Sequence, residues 1–84
     1  MPYRIEMKSS AQAALAKIPQ PQRGRIARKI DQLANNPRPH GAEKLAGASQ
    51  FYRIRVGDYR IIYEVYEDYL VILVIYIGPR GGAY

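Results

Sequence analysis

The stretch Tyr52-Arg53-Ile54-Arg55-Val56-Gly57-Asp58-Tyr59-Arg60-Ile61-Ile62-Tyr63-Glu64-Val65 decides the fold. Apolar or tyrosine side chains recur at every second position on both sides of Gly57-Asp58. Period two marks strands with one face on a core. Glycine reaches positive φ freely, so Gly57-Asp58 reads as a two-residue hairpin turn. A turn of that length fixes the register. Val56 then lies opposite Tyr59, Arg55 opposite Arg60, Ile54 opposite Ile61 and Arg53 opposite Ile62.

Working downstream, Glu67-Asp68 is a second and weaker two-residue turn candidate, which puts Tyr66 opposite Tyr69. The two turns predict a meander over 51–56, 59–66 and 69–77, closed by Gly78-Pro79. Working upstream, Pro37-Arg38-Pro39 ends a helical pattern built on Ile26, Ile30 and Leu33 and running to Asn35. Pro21 suits the first turn of that helix. Ala11, Ala14, Leu15 and Ile18 fall at i, i+3, i+4 and i+7, one face of an earlier helix capped by Ser9 or Ser10. Tyr3, Ile5 and Met7 alternate with Arg4, Glu6 and Lys8, which predicts a first strand. The expected fold is α+β, in the order β-α-α-β-β-β. A mostly antiparallel sheet of about four strands carries a helical hairpin on one face.

The two turns together divide the sheet into faces. Tyr52, Ile54, Val56, Tyr59, Ile61, Tyr63, Val65, Leu70, Ile72, Val74 and Tyr76 share a face without charge, on which the helices should pack. Arg53, Arg55, Arg60, Ile62, Glu64, Val71, Leu73, Ile75 and Ile77 share the other. There Arg55 and Arg60 are directly opposed, with Cβ atoms roughly 4.5–5.5 Å apart and a repulsion of a few tenths of a kcal/mol or more. Two readings stand. One is a solvated arginine ladder with Glu64 as partial partner. The other is an oxyanion site, because planar guanidinium forks match phosphate bidentately. Val71, Leu73, Ile75 and Ile77 form an uncovered apolar strip beside it, of the kind that usually meets a partner.

Composition agrees with a small basic domain. The chain has 84 residues, 13 Lys plus Arg against 7 acids, and a net charge of +6. One domain fits, covering 1–84, and a chain this short buries only about 60–65% of its unfolded surface. No cysteine is present and His40 is the lone histidine, which argues against zinc and iron–sulfur sites. The longest apolar run, Tyr69 to Ile77, is too short for a membrane helix. No secretion signal is visible, so a soluble intracellular protein is expected. The charge suits a polyanionic partner. On the second helix Arg23, Arg25, Arg28 and Lys29 precede any acid. They read either as a solvated face or as a salt-dependent contact with RNA backbone. His40, in a proline-rich loop, is either an exposed structural residue or a general base. Tyr84, after Gly81-Gly82-Ala83, is a frayed terminus or a functional phenol. There is no P-loop, dinucleotide fingerprint or Ser–His–Asp order.

Three segments carry a family likeness: Lys44-Leu45-Ala46-Gly47, the decisive stretch itself, and Val74-Ile75-Tyr76-Ile77-Gly78-Pro79-Arg80. They resemble the RelE/ParE superfamily of toxins from toxin–antitoxin pairs, and the RelE branch more than the ParE branch. The resemblance implies a cytoplasmic endoribonuclease without cofactor or metal. It would enter the ribosomal A site and cut messenger RNA by attack of the 2′-hydroxyl on the adjacent phosphodiester. By position, Arg60 matches the family arginine of the middle strand. Arg53 and Arg55 stand where some members have lysine. Arg80 matches the arginine after the last strand's glycine, and Tyr84 a C-terminal tyrosine. Arg23, Arg25, Arg28, Lys29 and Lys44 become candidate RNA contacts. An antitoxin, in a heterotetramer with the toxin, would cover Val71, Leu73, Ile75 and Ile77. A ParE-like inhibitor of DNA gyrase and a catalytically weak regulator are the alternatives. Proton transfer is the open point, since arginine cannot act as a base. Tyr84, Glu64, His40 or the ribosome would have to supply that group.

Overall fold

The structure is a computed structural model and describes residues 2–45, 47 and 50–79. In chain order the elements are β1 (Arg4–Met7), α1 (Ser9–Lys17), α2 (Gln22–Leu33), β2 (Glu43–Lys44), β3 (Phe51–Val56), β4 (Tyr59–Tyr66) and β5 (Val71–Pro79). They form one five-stranded sheet in the order β1-β5-β4-β3-β2. β1 runs parallel to β5, and the other pairs are antiparallel. The α+β class and the helical pair are as expected. The fifth strand, β2, is not; two residues are too few to show a period.

Local chemistry sets the helix ends. Ser9 and Ser10 lie inside α1 rather than capping it. Lys8 holds the N-cap position with no side-chain bond, and Gln12 Nε2 instead donates to Met7 O at 2.9 Å. Ile18 is extended at ψ 128°, as a residue before proline prefers, and this stops α1 at Lys17. Pro21 occupies the N-cap of α2, and Gln20 Oε1 accepts the Gly24 N–H at 3.0 Å. Ile26, Ile30 and Leu33 of α2 and Ala11 and Ile18 of the α1 region are buried against Ile54, Ile61, Tyr63, Val65, Ile72 and Val74. Tyr63 is wholly enclosed. Its ring stacks on Tyr52 at 5.9 Å and its hydroxyl donates to Pro37 O at 2.7 Å. Burial pushes that phenol up to about 12.

The β3–β4 hairpin has the expected register. Gly57 takes φ +58°, and Arg55 pairs with Arg60, Ile54 with Ile61 and Arg53 with Ile62. The β4–β5 connection differs. Tyr66 pairs with Val71, so residues 67–70 form a four-residue turn. Glu67-Asp68 offers no glycine for positive φ, and Leu70 takes it instead at +53°. Leu70 is therefore exposed in a turn rather than facing the core. The pairing moves by two residues, which leaves the faces unchanged up to Val74.

A second departure does change them. Tyr63 pairs with Val74 but Ile62 pairs with Tyr76, so β5 carries an extra residue, Ile75. Such a bulge reverses the alternation beyond it. Ile77 turns inward opposite Ile61 and is 3% exposed in the core. Tyr76 turns outward to the arginine face. Both placements reverse the reading of a regular strand. Ile77→Ala should therefore cost about 2–5 kcal/mol, as for a buried large-to-small change. Urea denaturation checks this; an open-strip Ile77 would show almost no loss.

Candidate functional site

The outward face of β3 and β4 brings Arg53, Arg55 and Arg60 together, as their alternation requires. The tight turn places Arg55 and Arg60 side by side across the two strands. Arg55 is exposed, while the Nε atoms of Arg53 and Arg60 are closed off from solvent. The guanidinium stems are thus packed into the face rather than waving from it.

The counter-charge comes from β2, not from the expected Glu64. Glu43 pairs directly with Arg53 in the β2–β3 ladder. Arg53 Nη2 donates to Glu43 Oε1 at 2.7 Å, and the Glu43 side chain remains 55% exposed. The hydrogen bond from Arg53 is the main force holding the Glu43 carboxyl below the usual carboxylate range. The charge of Arg53 adds to it, and Arg55 and Arg60 contribute smaller pulls. One carboxylate therefore feels all three guanidiniums. Glu64 is engaged elsewhere: its Oε1 accepts the Tyr66 hydroxyl, which raises the Tyr66 phenol. Sequence reasoning missed Glu43 because nothing in Gly41-Ala42-Glu43-Lys44 announces a strand. Its approach to Arg53 is a consequence of pairing at the sheet edge.

The bulge adds Tyr76 to this face. Gly78 pairs with Arg60, and a Cβ built on Gly78 would lie 2.2 Å from the Tyr76 hydroxyl oxygen. The phenol therefore lies over Gly78, beside the Arg60 strand position. Only a residue without a side chain permits this approach. The tyrosines at 52, 59 and 63 do pack with the core, as their period predicts.

Two open clefts lead away from the arginines. One, of about 460 Å³, is lined by Lys29, His40, Gly41, Ala42, Glu43, Ile54 and Arg55. The other, of about 330 Å³, runs between Arg25, Arg28, Lys29 and Gln32 of α2 and Arg55-Val56 of β3. Arg55 and Lys29 line both, so the basic edge of α2 is continuous with the sheet site. Arg23 is turned away from it; its Nη1 donates to Ala16 O at 3.3 Å and ties the helices together. Lys44 pairs with Tyr52, which puts it on the opposite face of the sheet from Glu43. Arg80 and Tyr84 lie outside the described residues.

The apolar strip is shorter than the regular pattern predicts. Val71 and Leu73, with Tyr66, Tyr69, Arg4 and Glu6, line a groove of about 340 Å³ on the arginine side. Ile75 is the half-buried bulge residue and Ile77 belongs to the core. Among the described residues there is no cluster of three or more His, Cys, Asp or Glu side chains suited to a metal. No helix among them is long and apolar enough to cross a membrane.

Comparison with known proteins places this architecture. The family model described as the ParE toxin of the type II toxin–antitoxin system parDE matches residues 5–84. A chain of the archaeal RelE–RelB complex from Pyrococcus horikoshii OT3 is similar with a TM-score of 0.86 and 34% identity, over 99% of this chain and 100% of that one. A chain of the RelB–RelE complex from Methanococcus jannaschii is similar with a TM-score of 0.73 and 27% identity, over 88% of each chain. The mRNA interferase toxin RelE of Escherichia coli (strain K12) is 28% identical over 82 residues, 95% of this chain and 85% of that protein. Fold and sequence together define the toxin class of type II toxin–antitoxin systems. The chain belongs to the RelE/ParE toxin superfamily, and the relatives just described are RelE proteins.

The ion pair at the centre of the site makes a direct prediction. Followed by carboxyl chemical shifts, Glu43 should titrate below the ordinary value of about 4.3. It should return toward that value in Arg53→Ala. The folded value is depressed, so the pair stabilises the fold above the unfolded value and ceases to do so as pH falls through the folded one. The wild-type advantage over Glu43→Gln in urea melts should persist at neutral pH and disappear only in acid.

Proposed function

We propose that the chain is a toxin that inhibits translation by cutting messenger RNA on the ribosome. Its cognate antitoxin is the partner that restrains it. The observation that carries this reading is the Arg55–Arg60 cross-strand pair with Arg53 alongside, three fixed cations on one face. The similarity to an E. coli mRNA interferase toxin agrees with it. In the proposed reaction the 2′-oxygen attacks the adjacent phosphorus in line, and the 5′-oxygen leaves. Negative charge grows on the non-bridging oxygens. Cations already aimed at those oxygens stabilise the transition state, and one such donor contributes about 2.7–4 kcal/mol. Arg60 and Arg55 serve this role, and Arg80 and Tyr84 are assigned to the same centre by their family positions. Arg53 orders the edge of the site through Glu43. Arg25, Arg28 and Lys29 hold the RNA or ribosomal backbone by charge alone.

The RelE chains of P. horikoshii and M. jannaschii were crystallised with RelB. An antitoxin of partly acidic character would fit here too. Its apolar residues would enter the groove at Val71 and Leu73, and its acids would neutralise the neighbouring arginines. A toxin acting on ribosomes would work in the cytoplasm.

Primer extension on translating ribosomes tests the reading. Wild-type protein should give new messenger ends within codons at the A site. Arg60→Ala should lower the cleavage rate about 10²–10³-fold, the loss typical of one oxyanion donor, and Arg80→Ala should fall in the same direction. Identical patterns from wild type and both variants would sink the assignment. Inhibition of gyrase supercoiling without any RNA cut would replace it with the ParE-type activity.

A further inference from the structure

The hairpin sets Arg55 and Arg60 against each other, and like charges in a cross-strand pair push apart. Arg60 stands on the middle strand, with Arg55 opposite it on β3 and Gly78 opposite it on β5. On the β5 side a glycine offers no side chain. Repulsion from Arg55 would therefore drive the Arg60 guanidinium across Gly78 and away from its neighbour. That space is taken. The three atoms nearest to a Cβ built on Gly78 all belong to the Tyr76 phenol: its oxygen, the carbon that bears it and the next ring carbon. A Cβ at position 78 would lie roughly 4.5–5.5 Å from that of Arg60. The end of the phenol thus stands in for a side chain directly across from Arg60. Tyr76 reaches this place only because the bulge pairs it with Ile62 and turns it outward. It is half-buried, so the ring lies within the face, and the Arg60 Nε is closed off from solvent.

We propose that Tyr76 is a positioning residue of the arginine site: its ring fills the side-chain space of Gly78 and stops Arg60 from turning away from Arg55. The inference rests on the ribonuclease reading above and deepens it. Confined on the β5 side, Arg60 points its guanidinium fork at the same phosphate group as Arg55, each fork able to donate paired bonds. Released on that side, it would swing over a wider arc. Binding and catalysis then respond differently. Attraction of the RNA backbone by charge survives a change in the direction of one cation. The transition state does not tolerate it, because its donors must already be aimed where charge develops. The working part is the bulk of the ring, not the hydroxyl. Tyr76 and Gly78 act as a pair, since a side chain at 78 would exclude the phenol and the phenol needs a glycine beneath it.

Two measurements on the full chain test this, and the first involves no RNA. In nitrogen-15 spectra of the arginine side chains, the Arg60 Nε–H should exchange slowly with water in the wild type and severalfold faster in Tyr76→Ala. Tyr76 faces outward, so this variant leaves the core intact. The second is single-turnover cleavage of ribosome-bound messenger. In Tyr76→Ala it should fall about 10²-fold, as for a reacting group displaced by about 1 Å, while ribosome affinity by sedimentation stays as in the wild type. Tyr76→Phe keeps the ring and should recover most of the rate and the slow exchange. Tyr76→Ala combined with Gly78→Val returns a side chain to the same space and should restore both in part, which a general loss of packing would not allow. Unchanged Arg60 exchange in Tyr76→Ala would overturn the inference. Cleavage by Tyr76→Ala at the wild-type rate, with Arg60→Ala still defective, would overturn it and leave the ribonuclease reading intact. Equal losses in Tyr76→Phe and Tyr76→Ala would also overturn it, as the mark of a hydroxyl that meets RNA directly. A wild-type protein that cuts no messenger would overturn the ribonuclease reading, and the exchange measurement would then decide the place of Tyr76 by itself.

Discussion

The forced opposition of Arg55 and Arg60 is the constraint from which the rest of the structure follows. Two guanidiniums in one cross-strand pair repel, and a surface hairpin would relieve this by slipping its register. This hairpin cannot slip. A one-residue shift would expose Ile54, Ile61 and Tyr63, which the core holds at 0–2% exposure. Burial on the helix side thus fixes like charges on the other side. What makes the cluster tolerable is Glu43, delivered by a strand of two residues that pairs with β3 at the edge of the sheet. Remove that edge and three cations share the outer face of β3 and β4, with Glu64 turned to Tyr66.

The bulge at Ile75 shows how one residue redistributes chemistry. Before it, β5 sends Ile72 and Val74 into the core and Leu73 outward. After it, Ile77 fills the core beneath Arg60's strand and Tyr76 joins the arginines. The sheet gains a packed layer at its far end and an aromatic hydroxyl beside the site from the same event. Gly78 completes the arrangement, since the Tyr76 phenol occupies the space a side chain would need. A bulge next to a functional face is a common device for re-aiming a side chain.

Most of the architecture was legible in the sequence where the signals were local. Gly57 announced its own turn, Ile26, Ile30 and Leu33 announced a helix face, and the register of β3 on β4 followed from the turn alone. The departures have three distinct physical causes. Val74-Ile75-Tyr76-Ile77 is apolar throughout, so a strand with one extra residue and a strand without it have nearly the same pattern. The turn at 67–70 depended on Leu70 accepting positive φ, which its side chain does not advertise. Glu43 is hidden for a third reason: its partner is ten residues away and its strand is no longer than one period. Local chemistry fixed Arg55 against Arg60, whereas Glu43 and Tyr76 were placed only by the tertiary fold.

The basic clefts and the apolar groove lie at opposite ends of one surface, and this explains the economy of a chain of 84 residues. The helices pack on one face of the sheet, which leaves the other face and the edge where α2 meets β3 for a ligand. Arg55 lies at that junction and lines both basic clefts, while Val71 and Leu73 begin two strands away. Under the proposed function, a nucleic acid lying along the basic edge of α2 would cross β3 and β4 and stop where the surface turns apolar. A protein entering by the apolar groove would reach the same arginines from the other side. In the proposed function the two ligands need not overlap over their whole length to exclude each other. Competition for Arg55 and Arg60 suffices, because an anion bound to the pair occupies the guanidinium donors that a second would need.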